Sequence, residues 1–249
     1  MNEPVLDVDG LAKSFDGVRA VQDVSFTVRA GELVALIGPN GAGKTTCFNC
    51  INGQLHPDAG RVALAGTNIT GRSPREIALA GVGRTFQVAA TFASMTVREN
   101  LAVALMSHAG LAASVRGRVT HARAGQVQAL MARTGIASLA DRHCATLSYG
   151  DLKRVELALA LAGNPKLLLM DEPTAGMAAR DRGALMATAA ELARRDSVAV
   201  LFTEHDMDVV FGHADRVIVL DRGRIIAEGP PDAIKADPRV RAVYLGETA

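Results

Sequence analysis

The sequence has neither an excess of positive charge nor a long apolar run. Lys plus Arg (27) nearly balance Asp plus Glu (26), so the formal net charge is +1 and no general basic field attracts nucleic acid. The apolar runs are short, because Asn164, Pro165 and Lys166 separate residues 155–163 from residues 167–170. A membrane-spanning helix needs about 20 consecutive apolar residues. We therefore expect a protein that neither binds nucleic acid generally nor crosses a membrane itself.

Cysteine is scarce, and the first residues lack secretory character. Three cysteines among 249 residues fit a reducing compartment. Cys47 and Cys50 form a C-x-x-C pair, but no second Cys or His pair stands at zinc-ligand spacing, so we interpret both as core residues of a helix. Residues 1–4 carry an acid where a signal peptide would carry basic residues. These features predict a cytoplasmic location.

Apolar residues and glycine are plentiful. Hydrophobic residues form 49% of the chain, which is enough to build the core of one large globular domain. The chain also has 24 glycines. Strand-like runs at residues 5–8, 21–28 and 32–37 precede a Gly-rich turn and a helix over residues 43–52, an order typical of an α/β nucleotide-binding fold. Strands and helices alternate again over residues 166–220. We predict a single domain with a core of about residues 1–90 and 163–249 and a helical lobe of about residues 91–162.

A phosphate-binding loop follows the apolar run at residues 32–37. It matches G-x-x-x-x-G-K-[ST] and consists of Gly38, Pro39, Asn40, Gly41, Ala42, Gly43, Lys44, Thr45 and Thr46. Glycines let backbone N–H groups surround phosphate oxygens, and the following helix directs its positive end toward them. Lys44 can reach the β and γ phosphates, and Thr45 can offer its hydroxyl to Mg²⁺. The loop predicts binding of a nucleoside triphosphate.

Two carboxylates end the apolar run at residues 167–170. Asp171 is predicted to hold Mg²⁺ through a bound water, and Glu172 to polarise an attacking water. A simpler interpretation is that the two residues only end the strand before Pro173. We favour the metal and water roles because the chain also has the phosphate-binding loop at Lys44. The two motifs alone allow a small-molecule kinase, a GTPase, a helicase or a transport ATPase.

A second anion site is predicted at residues 147–151. Ser148 is a candidate N-cap of a helix, and Gly150 leaves backbone amides accessible. This segment resembles the Leu-Ser-Gly-Gly-Gln signature of the ATP-binding cassette (ABC) family. The resemblance implies a P-loop NTPase fold with a RecA-like core, an antiparallel β subdomain and an inserted helical subdomain. It also implies that two chains pack head to tail, with each ATP between the phosphate-binding loop of one chain and the signature of the other.

Three further residues resemble functional positions of the family. Phe15 is similar to the aromatic residue that stacks on adenine, although a strand core would also suit it. Gln87 resembles the Q-loop glutamine, which contacts Mg²⁺ and water beside the surface that receives the membrane subunit. His205 resembles the switch histidine, which reaches the γ-phosphate. The expected catalytic residues are Glu172, His205, Lys44 and Gln87, and the expected metal-binding residues are Thr45, Gln87 and Asp171.

Finer features resemble the ATP-binding subunits of branched-chain amino acid importers. They are residues 83–87, 95–101, 147–151, 204–207 and 243–247. The resemblance implies ATP hydrolysis at the cytoplasmic face of the inner membrane, with transmembrane permease partners and, indirectly, a periplasmic substrate-binding protein. ATPases for import of urea, amides or aromatic acids and for lipopolysaccharide export share these features and stay open as alternatives. A non-transport ABC ATPase, a metabolite kinase and a regulatory module without turnover also remain.

Three positions depart from the family pattern. Tyr149 and Asp151 stand where the signature commonly has Gly and Gln, and Asp151 adds a negative charge near a phosphate site. Ala178 stands where the family usually has Asp or Asn. The change at Ala178 removes a side chain that is expected to connect the two ATP sites of the dimer.

Overall fold

The computed structural model describes residues 3–85, 91–108 and 123–245. The strands in these ranges are β1 (Leu6–Phe15), β2 (Val18–Val28), β3 (Leu33–Ile37), β4 (Ala59–Leu64), β5 (Thr67–Asn68), β6 (Val82–Thr85), β7 (Leu167–Asp171), β8 (Ala199–Thr203), β9 (Arg216–Asp221) and β10 (Arg224–Gly229). The helices are α1 (Lys44–Ile51), α2 (Pro74–Ala80), α3 (Val97–His108), α4 (Ala124–Arg133), α5 (Tyr149–Leu161), α6 (Ala179–Asp196), α7 (Met207–His213), α8 (Pro231–Ala236) and α9 (Pro238–Leu245).

Two sheets organise these elements. The first is antiparallel, with the order β2-β1-β4-β5, and the second has the order β10-β9-β3-β8-β7-β6. All neighbours in the second sheet are parallel except β10 and β9. Because parallel strands need crossover connections, the loops that follow β3, β7 and β8 all leave from one edge of the sheet.

The second sheet is buried on both faces. Along β8, Val200 and Phe202 pack in one apolar cluster, whereas Ala199 and Leu201 pack in another. This alternation follows from the two-residue period of a strand. The first cluster includes residues of α3–α6, and the second includes residues of α1 and of the antiparallel sheet. Covering on both faces explains why β3, β7 and β8 are almost continuously apolar.

The predicted α/β fold is confirmed, and several elements match the sequence pattern closely. The helix expected over residues 179–195 is α6, and the strand expected over residues 198–203 is β8. Helices α3, α4 and α5 follow one another between β6 and β7, where the sequence predicts a helical lobe. The boundaries of that lobe stay a prediction. Among the residues described, no helix combines the length and the apolar character needed to cross a membrane.

Cys47 and Cys50 are core residues, as the sequence predicts. Cys47 and Cys50 lie on α1, and all three cysteines are buried and free. Burial raises the pKa of the Cys50 thiol to about 11 and also raises the pKa of Cys47. A thiol with a raised pKa is a poor nucleophile and a poor metal ligand near neutral pH. These cysteines therefore serve packing.

Candidate nucleotide site

The predicted site residues converge at the edge of the second sheet where β3, β7 and β8 end. The phosphate-binding loop follows β3, Asp171 ends β7, and His205 follows β8 by two residues. The register places Asp171 directly beside Thr203 on β8. Ligand sites of open parallel sheets lie at this carboxyl edge, because the connecting loops diverge there.

Two glycines of the phosphate-binding loop are required by close backbone contacts. A Cβ atom on Gly38 would lie 2.2 Å from the carbonyl oxygen of Leu220, and one on Gly43 would lie 2.3 Å from that of Ala20. Gly43 is also the N-cap of α1, with φ of 103°, and no side chain caps the helix. The first amides of α1 therefore have no side-chain acceptor and suit a bound phosphate.

Lys44 lies in the middle of the site. Its ammonium donates hydrogen bonds to the carbonyl oxygens of Gly38, at 2.6 Å, and Pro39, at 3.1 Å. Burial lowers the pKa of Lys44, while the nearby carboxylates of Glu172 and Asp171 oppose this shift. The electrostatic interaction places the lysine and both predicted acidic residues in one group. Thr45, the next residue, is exposed and can offer its hydroxyl to a ligand.

Thr203 fixes the two acidic residues. Its hydroxyl donates to Asp171 Oδ1 at 2.7 Å and accepts from the backbone N–H of Glu172 at 3.1 Å. The same N–H lies 3.2 Å from the carbonyl oxygen of Thr203. These bonds hold Glu172 with φ of 47°, a left-handed conformation that non-glycine residues seldom adopt. Such backbone strain is found preferentially at functional sites.

Glu172 and His205 are in direct contact. The Nε2 atom of His205 lies 2.9 Å from Oε1 of Glu172, and the two side chains are 49% and 26% exposed. A glutamate that shares a hydrogen bond with a histidine and stays accessible can accept a hydrogen bond from a water beside the pair. The structure therefore brings together Lys44, Asp171, Glu172 and His205.

Ser148 and Gly150 form a second group at the beginning of α5. Ser148 is the N-cap: its hydroxyl accepts from the N–H of Asp151 at 3.2 Å and donates to the Asp151 carboxylate at 2.8 Å. The Asp151 charge thus lies directly at the predicted anion site. A Cβ on Gly150 would make only ordinary contacts with Asp181, so packing within this chain does not require glycine there.

Phe15 is not a core residue, because 42% of it is exposed at the end of β1. The ammonium of Lys13 lies 5.6 Å from the centre of its ring. Asp58 accepts hydrogen bonds from the Lys13 ammonium and from the N–H of Ser14, both at 2.7 Å. An exposed, positioned aromatic face suits stacking on a base. Gln87 lies outside the described residues, so its predicted role stays untested.

Sequence reasoning assigned no role to three residues that border the site. Thr203 ends the apolar run that forms β8, and this position at a strand end is the signal that the sequence carries for it. Arg84 on β6 lies 3.7 Å from Asp171 Oδ2, across the parallel pairing of β6 and β7. Tyr244 on α9 shares a hydrogen bond with the backbone of Gly38, and burial raises its pKa to about 12. No local pattern indicates the contacts of Arg84 or Tyr244, because they join distant segments.

A parallel sheet whose edge carries a phosphate-binding loop, an Asp–Glu pair and a histidine defines a P-loop nucleoside triphosphatase. The model of the ABC transporter family matches residues 21–175. A second family model, described as branched-chain amino acid ATP-binding cassette transporter, matches residues 224–249. The chain belongs to the ABC transporter family, and it is an ATPase.

Similar proteins span the whole chain. The high-affinity branched-chain amino acid transport ATP-binding protein LivG of Salmonella typhimurium is 40% identical over 255 residues, which cover 99% of this chain and 100% of LivG. BraF of Pseudomonas aeruginosa, with the same description, is 38% identical over 254 residues at the same coverage. A solved ATP-binding cassette of an ABC transporter in its ADP conformation has a TM-score of 0.87 and 30% identity, and the match covers 99% of this chain and 100% of that one.

Proposed function

We propose that this ATPase energises the import of branched-chain or related amino acids through transmembrane permease subunits at the cytoplasmic face of the inner membrane. The contact of 2.9 Å between Glu172 and His205, beside Lys44, is the observation that supports hydrolysis at this site. The amino acid cargo is supported by the full-length similarity to LivG and BraF. A periplasmic substrate-binding protein would deliver the cargo to the permeases.

The side chains divide the work of hydrolysis. Glu172 accepts a proton from the attacking water, and His205 holds the Glu172 carboxylate and stabilises charge on the γ-phosphate. Lys44 neutralises the β and γ phosphates from within the loop. Phe15 stacks on adenine. The backbone N–H groups of the phosphate-binding loop, other than Pro39, which has none, then bind the phosphates.

The donor set fits Mg²⁺. This ion prefers oxygen ligands and keeps several waters, so one carboxylate with a hydroxyl and phosphate oxygens suffices. Asp171 supplies the carboxylate and Thr45 the hydroxyl, and Gln87 is a further proposed ligand from outside the described residues. Held by these residues, Mg²⁺ would supply positive charge beside the phosphate oxygens. Thr203 keeps Asp171 in place through its hydrogen bond of 2.7 Å.

A second copy of this chain, or a similar ATPase, would complete each nucleotide site. Ser148 and Gly150 lie at the beginning of α5, where the helix directs its positive end outward. The Ser148 hydroxyl is hydrogen-bonded to Asp151, and a Cβ atom on Gly150 would lie 3.6 Å from the carboxylate of Asp181. In a head-to-tail dimer this helix start would face the γ-phosphate bound by the partner. The Asp151 carboxylate would then have to release Ser148 as the phosphate approaches.

Uptake measurements in cells test the cargo. We expect cells that lack this chain to lose uptake of labelled leucine, isoleucine and valine, since the permeases depend on its ATP hydrolysis. The wild-type chain and the control Glu191→Gln, at an exposed position of α6, should restore uptake, and Glu172→Gln should not. If cells that lack this chain take up all three amino acids normally, while the purified chain hydrolyses ATP, the proposed cargo is wrong.

A groove beside the site is the proposed contact for a permease. It has a volume of about 330 Å³ and lies between α2 and β6 on one side and α3 and α5 on the other. Phe92 and Val103 line it and are 54% and 37% exposed. Arg84, which approaches Asp171 to 3.7 Å, also lines it. A partner in this groove would therefore lie next to the predicted metal ligand.

The variant Val103→Glu tests the groove. We expect the full chain to dissociate from permease-containing membranes, because a carboxylate would be buried in an apolar contact at a cost of about 1–3 kcal/mol or more. Basal ATP hydrolysis should stay within about twofold of wild type, since this changes the barrier by only about 0.4 kcal/mol. Ala187→Glu, which adds the same charge at an exposed position of α6, is the control. Equal membrane binding by both variants in flotation assays would contradict the assignment.

A further inference from the structure

The two neighbours of His205 in sequence, Glu204 and Asp206, both connect it to the segment that follows Glu172. We name residues 173–178, which follow Glu172, the connecting loop. On one side, the buried carboxylate of Glu204 accepts from the N–H of Thr174 at 2.8 Å and from its hydroxyl at 2.6 Å. It also accepts from the N–H of His205 at 3.2 Å. The first tie therefore fixes the backbone of His205 to the beginning of the connecting loop.

The second tie runs through Arg182 on α6. Its Nε atom donates to the carbonyl oxygen of Met177 at 2.8 Å, and its Nη1 atom donates to the carboxylate of Asp206. A guanidinium is a rigid planar fork, so two simultaneous bonds fix the relative position of both acceptors. Asp206 also accepts from the N–H groups of Asp208 and Val209 and thereby caps α7. The bond from Arg182 holds the pKa of Asp206 below its ordinary value, so the pair stays ionised.

The connecting loop also lies next to the beginning of α5. A Cβ atom on Gly176 would lie 3.4 Å from the ring of Tyr149, and one on Gly150 would lie 3.6 Å from the carboxylate of Asp181 in the first turn of α6. Ala178 is the N-cap of α6, but no side-chain bond caps the helix. The end of the loop is therefore held by Arg182 through the Met177 carbonyl and not by its own N-cap side chain.

We propose that Arg182 is a positioning residue that couples the start of α5 to His205, by joining the connecting loop to Asp206. Movement of Tyr149 and Gly150 displaces the loop at Gly176, and the fork of Arg182 transmits that displacement to the residue next to His205. One chain thus contains a contact path between its second anion site and its own hydrolytic residues. The inference rests on the proposed role of His205.

Steady-state phosphate release by the full chain tests the coupling. We expect Arg182→Gln to lower kcat at saturating Mg·ATP about tenfold, as is usual when a partner that orients a functional side chain is lost. The dissociation constant for ATP should change by no more than about twofold, because Arg182 contacts none of the phosphate-binding residues. Arg182→Lys should recover only part of the rate, since an ammonium lacks the planar fork.

Two further variants separate positioning from folding. Asp206→Asn keeps an N-cap oxygen for α7 and removes only the charge, so it should lower kcat to a similar extent while α7 stays capped. The double variant R182Q/D206N should be about tenfold slower than wild type, not about 100-fold as for independent sites. Arg180→Gln is the matched control, because Arg180 is 90% exposed on the same turn of α6 and pairs only locally with Asp181.

The outcomes separate the coupling from the proposed function. If His205→Ala hydrolyses ATP at the wild-type rate, the proposed role of His205 is wrong. If His205→Ala is inactive while Arg182→Gln matches Arg180→Gln in kcat, only the coupling is wrong. Independent effects in the double variant, or a fall in kcat that follows a lower melting temperature, would likewise overturn the role of Arg182.

Discussion

Glu172→Gln should abolish turnover while ATP still binds. The amide keeps the size of the carboxylate but cannot accept a proton from water, and loss of a general base slows a reaction about 10²- to 10⁴-fold. The contacts of Lys44 with Gly38 and Pro39 do not involve Glu172, so the phosphate-binding loop should keep its geometry. We therefore expect phosphate release to fall at least about 100-fold, with the dissociation constant for ATP within about threefold of wild type.

The same variant should accumulate a closed dimer. If ATP holds two chains together between the loop of one and the α5 start of the other, a chain that binds but does not hydrolyse cannot separate. Size-exclusion chromatography with Mg·ATP should show twice the monomer mass for Glu172→Gln. Glu191→Gln makes the same chemical change at a side chain that is 75% exposed, and it should behave as wild type. Wild-type turnover by Glu172→Gln would refute the role of Glu172.

Local sequence pattern predicts the elements that carry the site. The strands β3, β7 and β8 are apolar because both faces of the second sheet are covered, and this gives a continuous signal. The glycines, Lys44 and the Asp171–Glu172 pair stand next to these strands in sequence. Their meeting at one edge follows from the rule that parallel strands end together. The predicted group of Lys44, Asp171 and Glu172 could thus be placed before any contact was known.

Contacts between residues that are distant in sequence cannot be predicted from the local pattern. The sequence pattern does not show that β7 lies between β6 and β8, so the approach of Arg84 to Asp171 could not be predicted. The ion pair of Arg182 and Asp206 joins residues 24 positions apart, and each residue alone resembles an ordinary surface charge. The first residues of β1 were predicted, but its full length was not, since register shifts after Val8 interrupt the alternation.

Lys44→Ala should remove most ATP binding. The ammonium is buried among the loop carbonyls and lies within the field of Glu172 and Asp171, so it is positioned to neutralise phosphate charge. Hydrogen bonds to charged groups contribute about 1.5–3 kcal/mol, which corresponds to a loss of affinity of about 10- to 150-fold. Hydrolysis should fall further, by about 10² to 10³, because phosphate charge grows toward the transition state. Titration with ATP and phosphate release at saturating Mg·ATP measure the two effects separately.

The control for this change is Lys166→Ala, which removes an exposed lysine at the beginning of β7. It should leave ATP affinity and turnover unchanged, because its ammonium lies outside the group formed by Lys44, Asp171 and Glu172. Lys44→Ala also deprives the carbonyls of Gly38 and Pro39 of a donor, so its melting temperature must be compared with that of the control. Wild-type ATP affinity in a folded Lys44→Ala chain would contradict phosphate binding at this loop. A loss of affinity without unfolding would instead show that the charge at position 44, and not the glycine turn alone, binds the nucleotide.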